Sequence, residues 1–353
     1  MTQSFWWAQP APELSSNHQQ QASERQNQLT KPPGSLGKLE SIAIQLAAIQ
    51  QQEQPNISTP YISIFAGDHG ITEEGVSAFP QAVTVEMQRN FVNGGAAISV
   101  LAKTHNAHLE VINTGTHAEP ESLPNVIHQP VAKQTQNFLH GDAMSESQWH
   151  QAMDIGKQAA IRAHNIGADL YIGGEMGIGN TTAATAILSV LNSIAVAEIT
   201  GPGTGLQHKG VAQKIEILQK ALAFHKNQLN GAQAISQKLG GFEIVALAGA
   251  YLHAAQLRMA VLVDGFICTA AAAVAMALNP TIKPYLFFSH CSAEPGHQRV
   301  VEKLGVDPIL NLNLRLGEGS GAALVIPILQ SACALHNHMA TFAEAAVSGK
   351  KDS

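Results

Sequence analysis

Short apolar runs, each ending in a glycine-bearing or polar turn, recur along this chain and limit its fold more than any other feature. Tyr61 to Ala66 leads into Gly67-Asp68-His69-Gly70, Leu109 to Ile112 into Asn113-Thr114-Gly115-Thr116-His117, and Ala168 to Ile172 into Gly173-Gly174-Glu175. Met259 to Val263 leads into Asp264-Gly265, and Tyr285 to Phe288 into Ser289-His290-Cys291-Ser292. Helical stretches separate the runs. That alternation predicts an α/β fold of βαβ units, with a parallel sheet and covering helices. Hydrophobic residues make up 45% of the chain and charged residues 13%, as strands buried on both faces require. Ligands of such sheets bind beyond the carboxyl ends of the strands, so the polar turns should gather on one rim.

The richest turn is Gly173-Gly174-Glu175-Met176-Gly177-Ile178-Gly179-Asn180-Thr181-Thr182, read as a strand end, a glycine turn and a helix start. Glycines let the backbone approach a ligand, and Asn180-Thr181-Thr182 offers N-cap chemistry and N–H groups that suit an anion, with phosphate the obvious candidate. Gly174 to Thr181 nearly matches a P-loop, but Asn180 stands where that loop needs its lysine, which argues against an NTPase. A turn that binds nothing is the competing reading, and it leaves Glu175 without a reason. A second turn, Gly201-Pro202-Gly203-Thr204-Gly205, precedes a helix bearing Lys209 and Lys214, and suits a phosphate or carboxylate unless it is a plain loop. A third, Leu314-Arg315-Leu316-Gly317-Glu318-Gly319-Ser320-Gly321, isolates Glu318 between glycines. That carboxylate reads as a general base or, more blandly, as a helix-start charge favoured by the macrodipole.

The flanks read as helical. Residues 1 to 30 are polar and Gln-rich, with Trp6-Trp7 as an anchor for an arm. Lys31-Pro32-Pro33-Gly34-Ser35 gives a stiff approach in which Ser35 could cap the next helix, where Leu39, Ile42, Leu46 and Ile49 share one face. Gln207 to Leu229 and Gly241 to Leu257 read as sheet-covering helices, and Gly319 to Ala346 as a helical tract that Pro327 kinks or ends. The expected division is residues 1–60 as an arm and helix of a small helical lobe, 61–318 as the large α/β domain, and 319–353 as the lobe's C-terminal helices.

Several classes are excluded on the same grounds. A formal net charge of −6, with no basic run longer than Lys350-Lys351, argues against a nucleic-acid surface. Met259 to Leu278 has membrane length, but Asp264-Gly265 divides it into a buried strand and a small-residue helix, so no membrane span is expected. Cys268, Cys291 and Cys333 form neither a disulfide framework nor a zinc spacing, and the scattered histidines, Asp68-His69 among them, show no metal-ligand pattern. No secretory signal opens the chain, which leaves the cytoplasm as the default.

Six stretches together resemble one family. They are Lys31 to Glu40, Ala66-Gly67-Asp68-His69-Gly70, Gly174 to Thr182, Val263-Asp264-Gly265-Phe266, Ser289-His290-Cys291-Ser292-Ala293-Glu294 and Arg315 to Ala323. In this order they are similar to the nicotinate-nucleotide:dimethylbenzimidazole phosphoribosyltransferases. The resemblance implies transfer of the phosphoribosyl group of nicotinate mononucleotide to 5,6-dimethylbenzimidazole or a similar base, with inversion at C1′. It implies a homodimer with a Rossmann-like large domain and a small domain from both termini. Glu318 takes the general-base role and Glu175 that of a second active-site carboxylate. Gly177, Asn180, Thr181, Gly203, Lys214, Ser292 and Arg315 take the phosphate and ribose contacts. Phe79, Met87, Met176 and Leu316 would supply an apolar slot for a flat base, whose identity they leave open. No metal or cofactor is expected, because a pyridinium already bonded to C1′ is an activated donor. A transferase with a purine or phenol acceptor, and a nucleotide-binding regulator without turnover, are the alternatives.

Overall fold

The structure is a computed structural model that describes residues 5–119, 122–203, 205 and 207–348. Thr204 of the second glycine-rich turn and the Lys350-Lys351 pair lie outside them. The strands are β1 (Pro60–Gly67), β2 (His108–Gly115), β3 (Val126–His128), β4 (Leu170–Met176), β5 (Ala260–Val263) and β6 (Leu286–Phe288). The longer helices are numbered with the short ones in chain order: α1 (Ser16–Gln28), α2 (Lys38–Gln50), α3 (Ala82–Val92), α4 (Ala97–Thr104), α5 (Glu146–Asn165), α6 (Asn180–Asn192) and α7 (Val196–Ile199). Then come α8 (His208–His225), α9 (Gly231–Leu239), α10 (Phe242–Gln256), α11 (Phe266–Leu278), α12 (His297–Leu304), α13 (Ser320–Ala323) and α14 (Ile326–His338).

The strands pair in parallel throughout, in the order β3-β2-β1-β4-β5-β6. This is the doubly wound arrangement in which the chain winds one way from β1 and then the other. Every residue of β1 and β5 is buried, in line with a sheet covered on both sides. Helix α10 lies over β1, β2, β4 and β5 and is backed by α5, while α13 and α4 pack together against β4 and β2. The termini meet elsewhere: α2 packs on both α1 and α14, and Arg25 donates to the carbonyls of His336 and Asn337 at the end of α14. Trp7 is buried edge-on against Trp149 of α5, which anchors the first residues as expected.

Several expectations change. Strand β4 does not stop at Ile172 but runs through Gly173 and Gly174 to Met176. Those glycines are strand residues because both faces of β4 are occupied: a Cβ on Gly173 would stand 2.4 Å from the Leu247 side chain of α10. On the opposite face, one on Gly174 would stand 2.7 Å from the Glu318 carbonyl. Helix α8 packs against α6 and α7, whereas α10 alone of the two tracts lies along the sheet. Ser35 caps nothing, since α2 begins after Gly37 in a positive-φ conformation. Pro327 opens α14 rather than ending a helix; in the first turn its missing N–H costs no helical bond. The polar helix α1 and the short edge strand β3 carry too little apolar periodicity to be seen from sequence.

The α5–α10 contact is backbone against backbone. A Cβ on Gly156 would lie 1.8 Å from the Ala246 carbonyl oxygen, and one on Gly249 2.4 Å from that of Met153. Gly156→Ala should therefore destabilise the fold by about 1–3 kcal/mol or more, through overpacking. Urea unfolding would register this as a lower midpoint with the m-value unchanged.

Candidate active site

Beyond the carboxyl end of β4 the chain turns at Gly177–Gly179 into α6. This turn lies directly on β1: a Cβ on Gly177 would meet the Gly67 carbonyl oxygen at 2.1 Å. The cap of α6 is Gly179, at φ 100°, not Asn180. Asn180 instead turns its amide back to donate to Glu175 Oε2. The N–H groups of Asn180 and Thr182 close turns on the carbonyls of Gly177 and Gly179, so the helix start has already spent part of its donor set. Under the turn, His69 Nε2 and Glu243 Oε1 are 2.6 Å apart with both side chains fully buried.

The second carboxylate arrives from the far end of the sequence. Gly317, Glu318 and Gly319 adopt φ 87°, 63° and 77°, a run of left-handed backbone in which Glu318 is the only residue bearing a Cβ. The bend is held from two sides. The Glu318 carbonyl sits on Gly174, and the Asp264 carboxylate accepts from Gly319 N–H at 3.1 Å and Ala322 N–H at 2.8 Å. Glu318 N–H also points at Glu175 Oε1, at 3.4 Å. Three carboxylates thus share one low-dielectric region, which favours their neutral forms. Burial, with the Asp264 charge adding to it, pushes Glu318 up to about 7. Burial and then the Asp264 and Glu243 charges raise Glu175 well above the usual carboxylate range, against the opposing Glu318 N–H. Both carboxyls are thus shifted upward, and Glu318 exchanges its proton near neutrality.

The other end of the site is cationic. Lys214 of α8 is buried, and its Nζ donates to Thr181 Oγ1 at 2.8 Å. Burial lowers it to about 8, with Glu294 acting the other way. Gly203, at φ 53°, lies against the same pair: its Cβ would stand 2.6 Å from Thr181 Oγ1 and 3.4 Å from Lys214 Nζ. Lys209, on the same helix, is exposed. Ser292 donates its hydroxyl to the Leu314 carbonyl at 3.2 Å, tying the segment after β6 to the Arg315 loop. Its N–H donates to His297 Nδ1 at 2.7 Å. The other nitrogen of His297 faces Thr269 Oγ1 at 3.0 Å, and burial, then His290, holds the imidazole down to about 3. His297 is therefore a neutral brace.

These pieces enclose a cavity of ≈ 270 Å³. Of the sequence-derived residues, Glu175, Glu318, Gly177, Asn180, Thr181, Gly203, Ser292, Arg315, Phe79, Met176 and Leu316 line it. Lys214 stands behind Thr181. Met87 is not brought to the cavity: it lies on α3, half-buried against the core, with its sulfur 3.8 Å from Asn90 Nδ2. Helical spacing turns it away from Phe79, which precedes the helix. Phe79 and Leu316 flank the opening with 53% and 60% of their surfaces exposed. Asp264, His290 and Glu294 also line the cavity but were not singled out from sequence. The signal was present, since all three follow the carboxyl ends of β5 and β6. Among the described residues no three His, Cys, Asp or Glu side chains are arranged to hold a metal ion, and no helix is long and apolar enough to cross a membrane.

Known proteins resemble the chain over nearly its whole length. A phosphoribosyltransferase family profile matches residues 11–347. A nicotinate-nucleotide–dimethylbenzimidazole phosphoribosyltransferase of Pseudomonas fluorescens is 53% identical over 345 residues, covering 98% of each chain. One of Azotobacter vinelandii is 54% identical over 344 residues, or 97% of each. The crystal structure of such an enzyme from Thermus thermophilus superposes with a TM-score of 0.90 at 38% identity, over 96% of this chain and 100% of that one.

The seat of the Glu318 turn on Gly174 is open to test. Gly174→Ala places a methyl group against a backbone carbonyl and should cost about 1–3 kcal/mol. Gly141 has nothing within 4 Å of its Cβ position, so Gly141→Ala serves as control. A thermal melt in which the two variants shift alike would show that the seat is not tight.

Proposed function

The chain belongs to the nicotinate-nucleotide–dimethylbenzimidazole phosphoribosyltransferases, and from that premise we propose how its cavity carries the reaction. It transfers the phosphoribosyl group of nicotinate mononucleotide to 5,6-dimethylbenzimidazole, giving α-ribazole 5′-phosphate and nicotinate, in the assembly of the cobalamin lower ligand. The observation that carries the residue assignments is the polarity of the cavity. A buried carboxylate that titrates near neutrality stands at one end beside an apolar flank, and Arg315 and Lys214 stand at the other.

In this reading the nucleotide phosphate lies by Thr181, Gly203, Lys214 and Arg315, and the flat base enters between Phe79, Met176 and Leu316. A benzimidazole nitrogen attacks C1′ as the bond to the pyridinium nitrogen breaks. The electron pair of that bond returns to the pyridine ring, so nicotinate leaves without needing a proton. The other ring nitrogen of the benzimidazole becomes acidic, and the Glu318 carboxylate takes its proton. Positive charge at C1′ develops among carboxyl groups rather than in water, which favours the transition state over the bound substrate. Glu175 orients Asn180 and the Glu318 backbone. Ser292 sets the Arg315 loop through Leu314. A division into a small lobe drawn from both termini and a large unit is supported by the packing of α2 on α1 and α14, while α13 packs on β4 with the large unit. The homodimer rests on the family likeness.

Two outcomes are expected. Glu318→Gln should lower kcat by ~10² to 10⁴ with KM for the nucleotide little changed, because only the proton acceptor is lost. Glu175→Gln should be milder, since Glu175 positions Asn180 and the Glu318 backbone and does not accept the proton. If Glu318→Gln turned over normally and Glu175→Gln did not, the two roles would be exchanged. Nicotinate release measured with and without the base separates transfer from hydrolysis in every variant. The second outcome concerns Lys214. Below about 8 it is charged and holds the phosphate; above that pH it loses its proton, so KM for the nucleotide should rise. Lys214→Met should raise KM at neutral pH and flatten that dependence. A rise of the same steepness in Lys214→Met would assign it to another group.

A further inference from the structure

The carboxylate that does most to place Glu318 is neither Glu318 nor Glu175. Asp264 follows β5, is buried, and spans the turn that carries Glu318: Oδ2 accepts from Gly319 N–H at 3.1 Å and Oδ1 from Ala322 N–H at 2.8 Å. Gly321 is fitted to the same group, since a Cβ there would come within 2.9 Å of Asp264 Oδ1 and 2.2 Å of the His290 ring. His290, after β6, places Nδ1 3.7 Å from Asp264 Oδ1 while also facing Ser289 Oγ at 3.0 Å. The ionisable groups that line the cavity with Glu318 are Glu175 from β4, Asp264 after β5, Cys268 from α11, His290 and Glu294 after β6, and Arg315 from its own loop.

Resting on the assignment of Glu318 as base, we propose that Asp264 is a positioning residue for it: its carboxylate fixes the left-handed turn, and its charge sets how tightly Glu318 holds a proton. The two duties share one geometry. A buried carboxylate bonded to two backbone N–H groups that follow Glu318 is held in place beside it, and although burial raises its proton affinity, His290 and those N–H groups act to keep it charged, so its repulsion acts throughout turnover. A weak carboxylate base would stay ionised at neutral pH but would take the benzimidazole proton poorly. One whose affinity is raised by a fixed neighbouring charge is a better acceptor at the same pH. The burial-and-charge shift of Glu318 to about 7 supports this tuning.

The experiment compares the pH dependence of kcat, at saturating nucleotide and base, for the wild-type protein, Asp264→Asn, Asp264→Ser, Glu318→Gln and the Asp264→Asn/Glu318→Gln double variant. Ionisations of the substrates are common to all and cancel in the comparison. Activity should rise with pH as Glu318 loses its proton. Removing the Asp264 charge should carry that limb to lower pH by about 1 unit, with a lower plateau. The limb should be absent in Glu318→Gln and in the double variant. If Glu318→Gln keeps the limb, the base assignment fails. If Glu318→Gln loses it but neither Asp264 variant moves it, only the present inference fails, and Asp264 then merely braces the turn. Loss of the native far-UV and near-UV circular dichroism in both Asp264 variants would likewise overturn the inference, by making the carboxylate a requirement for folding.

Discussion

The site depends on one contact that involves no side chain of the residue beneath it: the Glu318 carbonyl resting on Gly174 of the central strand β4. Interiors pack at close to crystal density, so a loop can reach a strand backbone only where the strand has no Cβ to keep it away. Gly174 supplies that gap on one face of β4, and Gly173 supplies its counterpart under α10 on the other. Glu318 is thereby brought beside Glu175, from 143 positions away in the chain, with a backbone N–H pointing at its oxygen. The price in backbone strain is met by Gly317 and Gly319 on either side of the one left-handed glutamate.

Placing carboxyl groups together out of water forces a choice among their protonation states, because nearby like charges cannot all ionise. The structure resolves it by unequal support. Asp264 has two backbone N–H donors across its two oxygens and His290 near one of them. Glu175 has an amide and a long N–H contact and is buried. Glu318 has no such donors and keeps an opening toward the cavity, so it is the member free to trade a proton. At the far end the same logic runs with the opposite sign. Lys214 is buried with a hydroxyl for company and Glu294 as the nearby charge, a pairing that an arriving phosphate can strengthen.

Much of this was legible in the sequence because its signals are local. Strands buried on both faces leave unbroken apolar runs, and β1, β2, β5 and β6 were found within a few residues of their ends. The glycine-flanked Glu318 and the Glu175 turn were visible because glycines in such density seldom serve only as spacers. What was missed depends on partners remote in sequence. Gly173 and Gly174 look like a turn until α10 and the Glu318 loop are seen occupying both sides of them. Asn180 has the composition of a cap, yet its amide is spent on Glu175 and Gly179 does the capping. Met87 is apolar and close in sequence to Phe79, but the helix phase of α3 decides where it points. The role of Asp264 rests on bonds to residues 55 and 58 positions later, which no spacing rule encodes.

The sheet order also explains why the cavity sits where it does. In a doubly wound sheet the natural crevice lies where the winding reverses, here between β1 and β4. That crevice is closed. Gly177 presses its backbone onto the Gly67 carbonyl, and Gly179 lies over Thr72 and His69, whose imidazole is locked to Glu243. Asp68, at the end of β1, is occupied by the Thr84 hydroxyl at 2.6 Å and the His117 N–H at 2.9 Å. With the switch point filled by its own backbone, the chain displaces the ligand space one strand over, above β4, β5 and β6. There the carboxyl end of β4 contributes Glu175, the residues after β5 and β6 contribute Asp264 and His290, and the late loop closes over them with Glu318. The buried His69–Glu243 pair is thus more than core polarity: it props the turn that shuts the usual site, and Glu318 and Lys214 converge on the strand ends beyond it.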